Sequence, residues 1–229
     1  YLGGAGLVST LADYTKFAQI FEKCMGDKYE LFVPDGNHRI TNLFMKISRK
    51  GTVEEDIFTA GSAVKTGISI DVFPMENVPK NLFIRKIKGF LSNVFAYTAV
   101  SVYMFQNKSE EMKAAYSGTK RARRNYNFRL CLGALLSFRS YEKWYVSFDR
   151  FVQTKEDSGF STIPTGRKHY DGEIQPSEVF FPPKETTFEG VKAYVPQQVE
   201  LYLERLYGNY MELPPEEERE KHFYTKIEF

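Results

Sequence analysis

Cysteine is scarce in this chain, with Cys24 and Cys131 as its two thiols. They are too far apart for a zinc spacing and too few for a disulfide framework. Both fall in apolar helical stretches, so buried free thiols in a reducing compartment are expected. Histidine is as sparse. His38, His169 and His222 have no partner four residues away and no neighbouring cysteine, which leaves little basis for a His-based metal site. Net charge is almost absent: 31 basic and 29 acidic residues leave +2. Such a balance calls for no nucleic-acid partner. Long hydrophobic runs are missing as well. The most apolar stretch, GFLSNVFAYTAVSVYMF from Gly89 to Phe105, is interrupted by Ser92, Asn93, Thr98 and Ser101. It is too short and too polar for a bilayer span and is expected to form a buried or interfacial helix. There is no serine nucleophile elbow, no complete phosphate loop, no internal repeat and no low-complexity tract. The opening residues do not read as a signal peptide. With Tyr1 in place of Met, a fragment or a processed chain is expected.

What is present is aromatic. Among 229 residues there are 20 Phe and 15 Tyr, enough to build a packed body. ADYTKFAQIFEKCMG repeats apolar residues at helical spacing (Tyr14, Phe17, Ala18, Phe21, Cys24), and Gly26 stops it. YELFVPD predicts a short strand. RITNLFMKISRKGT, with Ile40, Leu43, Met45 and Ile47, predicts another. TGISIDVFPMENVP alternates cleanly, with Ile68, Ile70 and Val72 on one face, Ser69, Asp71 and Phe73 on the other, and Pro74 as its end. Residues 80–107 and 110–153 have a helical pattern. Within the second, the basic stretch GTKRARRNYNFR reads as a solvated helix face, or else as a contact for phosphate or membrane. After Gly159 the texture is Pro- and Gly-rich, predicting loops and short strands. An amphipathic helix then carries Val199, Tyr202, Leu203 and Leu206 and is ended by the Pro214–Pro215 segment. The mixture predicts an α/β or α+β fold in one domain over 1–229.

Asp71 is the leading candidate for chemistry. A carboxylate on a strand flanked by buried aliphatics is costly unless it is paired or holds a metal. The bland alternative is a strand-end Asp bonded to a loop. Glu76, past the Pro74 turn, is either a second acid at the same rim or an exposed turn residue.

Five segments, ADYTKF, KISRKGT, GISIDVFPMENVP, FFPPKETTFEGVKAYVP and YLERLYGNYMELPPEEEREKH, occur in an order and spacing that resemble the LicD phosphotransferases, relatives of fukutin. The likeness runs from about Asp13 to His222, with Gly208-Asn209 where the family usually has Gly-Asp. It implies a nucleotidyltransferase-like mixed-sheet core with added helices. It also implies transfer of phosphocholine or a related phospho-alcohol from a CDP-linked donor, CDP-choline or CDP-ribitol, to a glycan acceptor. A divalent metal, Mg or Mn, would neutralise the diphosphate. Asp71 matches the carboxylate of the family's strand motif and is the implied metal-site acid, with Glu76 as its candidate companion. Lys46, Arg49 and Lys50 are candidate partners for the donor phosphates, or plain surface charge.

One departure stands out. The family's Asp-rich metal motif should fall on Tyr1 to Leu7, where Gly3, Gly4 and Gly6 stand in place of aspartates and Leu11 in place of an arginine. Alternatively the acidic segment is deleted, and the chain lacks part of the family's N-terminal region. Three readings follow: a phosphotransferase truncated or altered at this point, a pseudoenzyme that keeps ligand binding, or an enzyme that recruits other acids, such as Asp71 with Glu76 and Glu54 or Glu55. The resemblance implies a cytoplasmic site with peripheral membrane contact for a bacterial member, or the Golgi for a eukaryotic one.

Overall fold

The computed structural model describes residues 26–32, 43–60, 66–216, 219 and 224–229. The expected helix over 12–26, the opening glycines, Cys24, Ile40, His38 and His222 lie outside the described residues, Gly26 apart. The elements in chain order are β1 (Tyr29–Phe32), β2 (Met45–Arg49), β3 (Val53–Asp56), β4 (Ser69–Val72), β5 (Glu76–Asn77), α1 (Leu82–Gln106), α2 (Glu110–Ala115), α3 (Lys120–Leu136), α4 (Tyr141–Val152), β6 (Phe160–Thr162), α5 (His169–Gly172), β7 (Gln175–Pro176), a 3-10 turn (Ser177–Val179), β8 (Lys184–Phe188), β9 (Val191–Val195), α6 (Val199–Tyr207) and β10 (Tyr224–Glu228). The fold is mixed α/β. Its registered strand pairs are antiparallel and form small sheets, the α+β form of that class. The described chain divides into two compact units, residues 26–72, 93–151 and 224–229 in one, and 73–92 and 152–219 in the other.

The first unit holds a three-stranded sheet of order β1-β2-β4 and the pair β3-β10. Leu31 on β1 and Met45 and Ile47 on the central strand β2 are buried. The helical part of this unit packs Val102, Tyr103, Met104, Met112, Tyr126 and Tyr141 into one apolar cluster, with the Tyr103 and Tyr141 rings edge to face at 5.1 Å. The pattern over 110–153 resolves into three helices rather than one. Ser117, Gly118 and Thr119 break it first, and Thr119 restarts it by accepting the Ala122 N–H at 3.0 Å. Thr119→Ala is expected to cost about 1 kcal/mol, read from a urea titration.

The second unit holds the three-stranded sheet β5-β6-β7, the hairpin β8-β9 and α6. Met75, Val179 and Phe180 form its apolar centre, joined by Leu201 and Tyr202 from α6. The hairpin turns on Glu189-Gly190, both at positive φ (49° and 79°), the conformation a two-residue connection demands and glycine supplies. α6 ends at Gly208, φ 71°, well before Pro214 and Pro215, the prolines expected to end it.

Two further expectations are corrected. Among the described residues β4 is an edge strand, so Ile70 stays 60% exposed and no closed aliphatic wall flanks Asp71. Cys131 is exposed, because α3 turns that flank to solvent.

Candidate functional site

The sheet register brings one sequence-predicted pair together. Lys46 on central strand β2 lies opposite Asp71 on β4 and Phe32 on β1, so the three side chains share a face. The Lys46 Nζ stands 3.0 Å from Asp71 Oδ1, and its side chain is 19% exposed against 39% for Asp71. Lys46 also donates to Ser69 Oγ at 3.4 Å and stands 5.9 Å from the Phe44 ring centre. An ion pair this open contributes on the order of 1 kcal/mol or less. Its consequence is therefore positional: it holds a cation in place at a solvent-reachable edge.

The cluster continues through Ser69, which donates to Glu54 Oε2 at 3.4 Å. Tyr224 of β10 hydrogen-bonds Glu54. Loss of solvent, and then the charge of Glu54, raise the Tyr224 hydroxyl above its ordinary range, so it remains a donor. Asp56, nearby in sequence, serves the backbone instead: its Oδ1 accepts the N–H groups of Phe58 and Thr59, both at 2.8 Å.

The other predicted residues fall elsewhere. Arg49 is exposed at the end of β2, on the alternate face of the strand from Lys46. Lys50 lies in the following turn, where its amine donates to the Gly26 carbonyl. Glu76 is not an exposed turn residue: it is buried in β5, opposite Thr162, in the unit that does not contain Asp71. It lies near Lys88, whose pKa is lowered by burial against the opposing pull of Glu76.

The same unit buries a second carboxyl. Glu173 accepts the Lys168 N–H at 3.0 Å, but burial outweighs that bond and raises its pKa. A raised folded pKa favours the protonated form. Its stabilisation is complete below the ordinary carboxylate range and is lost as pH rises through the folded value. Glu173→Gln is therefore expected to be more stable than the wild type at pH 8, by on the order of 1 kcal/mol, with the difference closing near pH 4 in urea titrations.

The described residues do not fit a divalent cation. Asp71 is engaged by Lys46 and Glu54 by Ser69. No group of three or more His, Cys, Asp or Glu side chains able to hold a metal occurs among the described residues. Ser69 and Tyr224 are the members the sequence reading missed. Ser69 was findable, since it sits two residues before Asp71 on one strand face. Nothing local announces Tyr224, which reaches Glu54 from 170 positions away. No family model, curated protein or solved structure matches the chain.

Proposed function

We propose that the chain is a LicD-like domain whose ligand is a CDP-linked phospho-alcohol, and whose family reaction passes the phospho-alcohol to a sugar of a cell-surface glycan. The ordered motifs support it, and one structural observation carries it. Asp71, in the strand motif GISIDVFP, is set against Lys46 on the neighbouring strand, at an edge a phosphate can reach. In this reading Lys46 meets the donor's phosphate charge. Asp71 fixes the lysine's direction, and Glu54 and Tyr224 border the polar face. In the transfer an acceptor hydroxyl attacks the phosphorus that bears the alcohol. The bond from that phosphorus to the CMP oxygen breaks, CMP leaves with the electron pair, and the hydroxyl proton passes to solvent. The metal of the family reaction finds no ligand set among the described residues, so no step is assigned to it.

A second reading, a pseudoenzyme that binds donor without turnover, is favoured by Gly3, Gly4 and Gly6 standing where the family has aspartates. CMP release from CDP-choline or CDP-ribitol, with Mn²⁺ and a glycan acceptor, separates the two. Release that Asp71→Asn removes supports transfer. Donor binding with no release supports the pseudoenzyme, and neither binding nor release contradicts both.

A further inference from the structure

We infer that the first turns of α1 dock on an anionic lipid surface. From Asn77 to Ser109 the chain has no Asp or Glu, while Lys80, Arg85, Lys86, Lys88 and Lys108 fall in it. Among the described residues, no helix is long and apolar enough to cross a membrane. Yet the start of α1 exposes large apolar side chains in succession: Leu82 68%, Phe83 73%, Ile84 52%, Ile87 43%, Phe90 66% and Val94 46%. At 100° per residue, Phe83, Ile87, Phe90 and Val94 fall within an arc of about 60°. A contiguous exposed stripe of this kind marks a binding surface, where scattered single residues would not.

The opposite side of the helix is packed. Arg85 donates to the Pro79 carbonyl at 3.1 and 3.0 Å and covers the Phe160 ring. Lys88 donates to the Gln153 carbonyl and Thr154 Oγ1, both at 2.6 Å. Gly89 meets Asp171, and Ser92 is buried. The acids that approach this segment do so at its start, where Glu156 faces Lys80 at 3.9 Å, and on the packed side, through Asp171 and Glu76. Exposed Lys86 makes no ion pair among the described residues and flanks the stripe. Two phenylalanines with aliphatic neighbours, a lysine at the margin and no carboxylate along the helix match the chemistry of an in-plane membrane helix. The lipid surface is chosen over a protein partner because the stripe offers apolar depth and cationic charge, with no polar pairing pattern to select a partner. The inference stands apart from the proposed activity.

The test is sedimentation of the full chain with vesicles of phosphatidylcholine alone and of phosphatidylcholine with 30% phosphatidylglycerol. Binding to the anionic vesicles at least tenfold above the neutral ones is expected, weakened by 0.5 M salt. Phe83→Ser with Phe90→Ser, both at exposed positions, is expected to lose that binding at least tenfold with an unchanged melting temperature. Lys86→Glu is expected to weaken it severalfold. Equal binding to both vesicles, no binding, or full binding by the serine variant overturns the inference. So does a self-associated chain in ultracentrifugation that the serine variant dissociates, which would assign the stripe to a second copy.

Discussion

Gly133→Ala is expected to destabilise the protein by about 2 kcal/mol, although alanine is the better helix former. Gly133 lies inside α3, where glycine costs about 1 kcal/mol relative to alanine. A Cβ there would meet the Ser101 carbonyl oxygen at 2.2 Å and the Phe105 Cβ at 2.7 Å. The first contact is backbone of α1, which cannot rotate away. One helix has to move, and overpacking of this kind costs about 3 kcal/mol. The steric term exceeds the propensity gain, so the sign is unfavourable. Gly118→Ala is the control, because its Cβ meets nothing within 4 Å. It is expected to change stability by about 0.5 kcal/mol or less. Urea titrations of the two variants check the pair. A neutral Gly133→Ala would contradict the close approach of α1 and α3.

Met112→Ala is expected to cost about 3 kcal/mol. α2 is six residues long, too short to persist by its own hydrogen bonds. Two contacts hold it. Ser109 accepts the Met112 N–H at 3.1 Å, and the fully buried Met112 side chain enters the cluster around Val102, Tyr103 and Tyr126. The truncation empties that place and frees the helix. Amide exchange over Glu110–Ala115 is expected to accelerate before the core exchanges, whereas Ser109→Ala alone removes only the cap, about 1 kcal/mol.

The sequence made some of these parts legible and hid others for physical reasons. Alternation located β4, and apolar spacing located α1 and α6, because each pattern is local. The breaks at Ser117–Thr119 and after Leu136 were overlooked because apolar residues keep helical spacing across them. The exposure of Ile70 depends on β4 having no neighbour on its outer side among the described residues, which strand order decides. Lys46 and Asp71 were both named as candidates, but their pairing rests on register. Arg49 looked equivalent to Lys46, and strand alternation places it on the other face. Glu76 is five residues from Asp71 in sequence, yet it serves a different sheet.

The most direct measurement of the central claim is a calorimetric titration of the full chain with CDP-choline and with CDP-ribitol in the presence of a chelator. Lys46→Met leaves the Asp71 carboxylate facing the donor without its cation. It is expected to weaken binding of the preferred donor at least tenfold, about 1.4 kcal/mol, with little change in melting temperature. Asp71→Asn loses the charge that aims Lys46 at the donor and is expected to weaken chelator-insensitive binding, by less than Lys46→Met does. Absence of binding to both donors by the wild type, or equal affinity in Lys46→Met, would contradict the account.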